Sequence, residues 1–516
     1  MQKEWIIKSR GDEEIVSSLA EQINTGKTLA NLLVQRGVTN FEEAKAFFRP
    51  NLDDLHDPFL MKNMEKAVFR LQLAVKRKEK ILIYGDYDVD GTTSVALIYS
   101  FLIKRYNKLD YYIPDRYHEG YGISYKGIDY AQENNVTLII ALDCGIKANQ
   151  KIRYASQRGI DVIICDHHTP GSEIPEAYAV LDPKQSDCNY PFKELSGCGV
   201  GFKFLQAYAI TENIDINELF EYLDLVTVSI ASDIVPIIGE NRVLAHFGLK
   251  KLAENPINGL KAIMKISGLE SKIVHVDDIV FKIGPRINAA GRMESGKKAV
   301  ELLVSDDFSF AIDMSYKINN FNTQRRSVDN VITQEALQLI ENNKEYKSRK
   351  TTVLYNPSWH KGVIGIVASR LTETYYRPTV ILTQSNGFAT GSARSVYGFD
   401  LYQAVDSCSD LLESFGGHMY AAGLTLRPEN VNKFIKRFEE YVSANILPEQ
   451  LIPKIEIDAE LNFSEITAKF FKVLDQFRPF GPGNMTPVFF TENVNMLPPK
   501  NIWYLSPQIP DTFTIF

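Results

Sequence analysis

Asp86, Asp88 and Asp90 stand at alternating positions in the stretch GDYDVDGTT. They follow an apolar run, residues 81–84, of the kind that forms a buried parallel strand. In an extended chain, residues two apart point the same way, so these acids would repel one another unless cations held them. Crowded carboxylate oxygens suit hard divalent ions such as Mg and Mn. A solvated acidic turn accounts for the motif taken alone equally well. A calcium loop does not, because the position where it needs a bidentate Glu is Leu97.

Two further runs end in the same kind of residue. Residues 137–143 (TLIIALD) end at Asp143, and residues 161–168 (DVIICDHH) end at Asp166, His167 and His168. In an open parallel sheet the carboxyl ends of the strands lie together, with the ligand crevice beside them. Three such endings in one α/β pattern predict a two-metal site. Asp233 follows an apolar helical pattern over 218–230 and precedes Pro236. It reads either as a helix stop or as a fourth acidic ligand.

The elements that must position these groups alternate between strand and helix. A helix over 94–104 follows Gly91-Thr92-Thr93 and presents its positive end to the acids. A strand over 109–114 leads to Arg116, which suits a phosphate or a surface pair with Asp115 or Glu119. A helix over 126–134 and strands over 161–165 and 177–181 complete an α/β class with a mostly parallel sheet. Residues 281–293 (FKIGPRINAAGRM) read as a loop whose small residues admit close approach and whose Arg286 and Arg292, with Asn288 between them, could clamp phosphates. A long polar helix over 306–343 bridges to a second α/β unit that begins at Thr351. That unit holds Ser392 and Arg394, and a Gly-Gly-His stretch ending at His418 that reads as an anion-binding helix N-terminus or a packing turn. Helical patterns over 13–24, 28–36 and 40–48 precede everything else, and an alternating β pattern begins after Ile452. Residues 498–516 show neither periodicity nor a closing set of strands, so this β domain reads as unfinished.

A length of 516 residues exceeds one core, and the composition is that of an ordinary globular protein. A net charge of -7 argues weakly against nucleic acid, since local basic clusters and bound cations can reverse the field in one groove. The N-terminus lacks a signal-peptide core, and no run is long and apolar enough for a membrane helix. Five cysteines without a CxxC spacing point to a reducing cytoplasm, with Cys144 and Cys165 as packing residues.

Together GDYDVDGTTS, ALDCGI, CDHH, ASDIVP, PRINAAGRM and FGGHMYAAG resemble the DHH phosphoesterase superfamily, and within it the bacterial single-strand-specific exonucleases. The resemblance implies a helical cap (1–50), a catalytic DHH domain (51–300), a connecting helix (301–348), an associated substrate-binding domain (349–448) and the start of an OB-like barrel (449–516). By that resemblance Asp86, Asp88, Asp143, His167 and Asp233 hold two Mn or Mg ions, with Asp143 as the bridge. His168, Arg116 and Arg286 would touch phosphate, while Ser392, Arg394, His418, Arg292 and Asn288 would hold the strand, and Asp90 and Asp166 would support the ligands from behind. The implied reaction is 5′-to-3′ release of mononucleotides from single-stranded DNA in repair and recombination, by a monomer with a helicase or single-strand-binding protein as candidate partners. Two alternatives stand beside it: a DHH enzyme acting on short oligonucleotides, cyclic dinucleotides or pyrophosphate, and a non-catalytic DNA-binding relative.

Overall fold

The computed structural model describes residues 3–270 and 272–492. Its first sheet contains β1 (Lys80–Gly85), β2 (Leu109–Tyr112), β3 (Val136–Leu142), β4 (Asp161–Cys165) and β5 (Ala179–Leu181), all parallel, in the order β2-β1-β3-β4-β5. The central strands are largely apolar because both faces are covered, whereas the edge strand β2 carries Asp110 and is half-buried. Ile81, Ile83, Leu138, Ile140 and Ile163 enter one core, which includes α1 (Met64–Arg77), α2 (Val89–Ile103), α5 (Gly197–Thr211) and α6 (Leu223–Ser232). The intervening Leu82, Tyr84, Ile139, Ala141 and Ile164 enter the other, with α3 (Tyr125–Glu133) and α4 (Asn149–Ser156). The pairing register aligns four strand ends: Gly85 opposes Leu142, Leu142 opposes Cys165, and Cys165 opposes Leu181.

Local chemistry moves several elements from their expected places. The acids do not alternate along a strand, because β1 stops at Gly85 and α2 begins at Val89 rather than near residue 94. Asp88 is the N-cap, its carboxylate accepting the Gly91 N–H at 3.0 Å, so the motif supplies its own helix start. Residues 281–293 form no loop. A π-helical turn, Ile279–Ile283, runs into α7 (Gly284–Met293), where Pro285 sits near the start and needs no amide partner. The expected helix over 218–230 is two helices, Asn217–Phe220 and α6, which ends at Ser232.

The helix α8 (Phe308–Glu341) has 34 residues, about 51 Å at 1.5 Å per residue. Polar overall, it still buries Ala311, Met314 and Ile318 in the first core and Ile332, Ala336 and Ile340 in a second, and so joins the two sheets. The second sheet contains β6 (Thr352–Tyr355), β7 (Thr379–Ser385), β8 (Phe388–Arg394), β9 (Leu412–His418) and β10 (Ala421–Leu426) in the order β9-β10-β8-β7-β6, with α9 (Ile364–Tyr375) packed on it. His418 therefore ends a strand of a tight hairpin and opens no helix. At Gly417 a Cβ would meet the Ala421 carbonyl at 2.3 Å, so this glycine serves the hairpin's close approach, while Gly416 beside it faces open space.

All of this lies in one compact unit, Arg49–Lys454, with Arg478–Thr486 and the first residues. A second unit gathers Trp5–Phe48, Ile455–Phe477 and the described residues from Pro487 onward. Besides the expected helices it contains strand pairing: residues 5–7 with residues 455–457, and Ala459–Glu460 with Phe489–Phe490. The described residues form no closed barrel, and the segment 498–516 lies outside them.

A buried ion pair ties α5 to the rest of the first domain. Lys203 Nζ donates to Glu240 at 3.1 Å and to the His56 carbonyl at 2.6 Å, while Tyr190 donates to the other Glu240 oxygen at 2.6 Å. Replacing Lys203 by Met leaves the carboxylate buried without its cation. Urea unfolding of Lys203→Met should show a loss of about 3 kcal/mol or more; an unchanged midpoint would mean that the ion pair contributes nothing net to stability.

Candidate active site

The aligned strand ends place Asp86, Asp143, Asp166 and Asp182 one residue beyond β1, β3, β4 and β5. All four are buried. Asp143 takes a left-handed backbone (φ 58°), and Ile234, just after Asp233, does the same (φ 60°). Strain of this kind in non-glycine residues persists where surrounding structure enforces it, commonly at functional sites. Asp143 is crowded from behind by α5: a Cβ on Gly197 would lie 2.7 Å from the Asp143 Cβ.

His167 stands at the centre. Its Nε2 lies 3.2 Å from Asp143, 3.5 Å from Asp233 and 3.7 Å from Asp90. Two three-residue groups have ligand atoms close enough to share an ion, Asp143-His167-His168 and Asp90-His167-Asp233. Asp86 and Asp88 adjoin them: Asp88 acts electrostatically on Asp86, Asp143 and Asp233. Both ring nitrogens of His167 and one oxygen each of Asp86 and Asp143 are buried without a hydrogen-bond partner. Buried polar atoms left so are costly, and here they converge. Burial also holds His167 below its ordinary value and thus neutral. A neutral imidazole among carboxylates with idle lone pairs is a donor set that fits divalent cations.

The neighbouring acids are engaged elsewhere. Asp90 accepts the Gly197 and Cys198 amides at the start of α5, at 2.7 and 2.8 Å, and the Ser229 hydroxyl at 2.7 Å. Asp166 accepts the amides of Ile146 at 2.9 Å and His167 at 2.8 Å, and His168 Nδ1 at 2.7 Å. Burial opposes charge on His168, but the Asp166 bond and charge outweigh it and push its pKa up to about 9. Its Nε2 lies 3.3 Å from the Tyr121 hydroxyl, which donates to the Asp143 carbonyl at 3.1 Å.

Arginines gather beside the acids. Arg116 lies 4.4 Å over the Tyr87 ring. Arg292 donates to the Gly362 carbonyl at 3.0 Å, and Arg394 to Ser392 at 3.0 Å and to the Ala393 carbonyl at 2.8 Å. Burial, followed by the charges of Arg116, Arg325 and Arg394, lowers Arg292 to about 9. These cations face rings, hydroxyls and carbonyls, an arrangement suited to an incoming anion. His418 is lowered by burial, then by Arg394 and His168, so it lies within electrostatic reach of His168. Arg286 is turned toward α8, bonded to Asn319 at 3.0 Å, and Asn288 is half-buried in α7.

Sequence reasoning passed over three participants. Asp182 ends β5 with one unpartnered oxygen, and burial pushes it up to about 7. Its signal was available, as one more acid after an apolar run. Tyr121 was hidden in a glycine-flanked loop, and Arg325 in a polar helix, where spacing carries no information about distant partners.

Family models match three segments: the DHH family N-terminal domain over 80–230, the DHHA1 domain over 349–444 and the RecJ OB domain over 457–502. The single-stranded-DNA-specific exonuclease RecJ of Escherichia coli is 33% identical over 483 residues, covering 89% of this chain and 82% of that protein. This chain belongs to the RecJ family. The RecJ of Bacillus subtilis is 38% identical over 95% of this chain, which spans 61% of that relative's length. A crystal structure of RecJ in complex with Mn2+ from Thermus thermophilus superposes with a TM-score of 0.83 at 27% identity, over 95% of this chain and 69% of that one.

Burial holds Asp86, Asp88 and Asp143 above the ordinary carboxylate value and pushes Asp233 to about 8. With folded values above unfolded ones, these groups make the ion-free fold lose stability as pH rises through them. A divalent ion competes with the same protons. The rise in Tm on adding Mn2+ should therefore be larger at pH 8 than at pH 6 and vanish with EDTA, as scanning calorimetry would show. Equal shifts at both pH values would place the bound ions elsewhere.

Proposed function

We propose that this chain hydrolyses phosphodiester bonds of single-stranded DNA from the 5′ end, releasing mononucleotides, with two divalent ions, Mn or Mg. The observation that carries this reading is the convergence of unpartnered ligand atoms on Asp86, Asp143 and His167 beside arginines whose contacts go to a carbonyl, a hydroxyl and a ring. Membership of the RecJ family, whose curated relatives are single-stranded-DNA-specific exonucleases, supports it.

In this reading Asp86, Asp88, Asp143, His167 and Asp233 hold the ions, with Asp143 shared between them. Bound there, two ions supply positive charge to the phosphoryl oxygens and lower the pKa of a water. His168, kept protonated by Asp166, donates to a phosphate oxygen. Arg116 and Arg286 contact phosphate from the first domain, while Arg292, Asn288, Ser392, Arg394 and His418 hold the strand's end. Preoriented donors of this kind act where charge develops and need no reorganisation. Asp90 and Asp166 position the ligands. The catalytic region spans 51–300, the connecting helix 301–348 and the strand-binding domain 349–448, with a helical cap over 1–50 and an OB-like segment over 449–516. The protein acts as a cytoplasmic monomer, with a helicase or a single-strand-binding protein as partner in repair and recombination.

Digestion of single strands labelled at either end, in Mn2+ and beside duplex DNA and pyrophosphate, tests the reading. Mononucleotides should appear from the 5′ end of single strands alone; cleavage confined to trinucleotides or pyrophosphate would refute the polymer assignment. Asp143→Ala should lower turnover by at least about a thousandfold, as loss of a central electrostatic group does, while a filter-binding assay still detects DNA. Near-normal rates in that variant would refute the shared-ligand role.

A further inference from the structure

The arginine row continues away from the strand ends. Arg292 on α7 meets the charge of Arg325 on α8, and Arg286 on α7 bonds Asn319 on α8, at the same sequence offset in both places. The two helices therefore run parallel here, and Arg286 lies about 9 Å along α7 from Arg292, at 1.5 Å per residue. Arg326 also approaches Arg286, so positive charge persists along the seam.

Two large rings stand at the far end. The Arg286 guanidinium donates to the Lys282 carbonyl at 2.7 Å and to Asn319 at 3.0 Å. Phe281, next to Lys282, is 66% exposed, and Tyr316, one helical turn before Asn319, is 56% exposed. Each ring thus neighbours one partner of the same guanidinium. A single exposed ring is ordinary on a protein surface. Two of them, one next to Lys282 in sequence and one a helical turn from Asn319, near the end of a cation row, offer the combination that single-strand-binding grooves use: charge for the backbone and rings for the bases.

We propose that Phe281 and Tyr316 are a base-stacking platform for single-stranded DNA, engaging bases downstream of those held at the strand-end site. This rests on the exonuclease reading and extends it. Stacking accepts every base face, so the platform would tighten binding of long strands without sequence preference. Short oligomers that fill only the strand-end site would not reach it.

Fluorescence anisotropy in EDTA, with 5′-phosphorylated dT3 and dT20 as probes, separates the two. Phe281→Ala and Tyr316→Ala should each weaken dT20 binding about tenfold and leave dT3 binding unchanged. Phe281→Trp and Tyr316→Phe should retain wild-type affinity, since each keeps a ring. A dT20 carrying abasic sugars at its interior positions should bind wild type more weakly and no longer distinguish the Ala variants. Unchanged dT20 affinity in the double Ala variant, or equal losses on dT3 and dT20, would overturn the platform. A wild-type protein that binds neither probe in EDTA and also leaves the labelled strands intact in Mn2+ would overturn the exonuclease reading itself, and the platform with it.

Discussion

The level alignment of four parallel strand ends is the constraint on which the rest depends. Because Gly85, Leu142, Cys165 and Leu181 oppose one another in register, the residue after each emerges at the same height. Each of those residues is an aspartate. A one-residue slip in any strand would exchange the faces of its side chains as well as moving its acid out of line. The two apolar cores that clamp the sheet therefore also hold the site's geometry, and their near-complete burial is a condition of function as well as of stability.

Bringing carboxylates together in a buried place is unfavourable, and the surrounding structure distributes that difficulty unevenly. Asp90 and Asp166 are saturated by amides, a hydroxyl and an imidazole. Asp86, Asp143 and His167 keep idle lone pairs. This division explains why the motif contains more acids than an ion could use. The saturated ones lock α2, α5 and the loop after β4 into place, and the idle ones remain available. Asp166 also determines the charge of His168, so one acid both shapes the loop and maintains a cation beside the others.

Net charge gives little guide to the local field. The chain carries a net charge of -7, yet Arg116, Arg325 and Arg394 all lie close enough to Arg292 to depress its ionisation. Their proximity depends on α8, whose two apolar ends are embedded in different cores and hold His418 of the second sheet within electrostatic reach of His168. The Arg292 and Arg394 guanidinium groups, bonded to carbonyls and a hydroxyl, keep their charge available for a phosphate backbone.

Much of this was legible in the sequence because it is local. Apolar runs ending in acids mark parallel strands and their carboxyl ends, and a polar periodic stretch marks the bridging helix. Local chemistry also set element boundaries that pattern reading missed: Asp88 capping its own helix, and Pro285 near the start of a helix in a stretch that looked like a loop. Only the tertiary structure decided that Asp90 is saturated, since its partners lie more than a hundred residues away at Gly197 and Ser229, and that Asp166 reaches back to the Ile146 amide. It likewise decided that the Gly-Gly-His stretch is a hairpin, because strand pairing with β10, itself paired to β8, outweighs a local signal shared by helix starts and turns. Spacing along a chain specifies which residues can leave a strand together. Register and packing specify which of them meet.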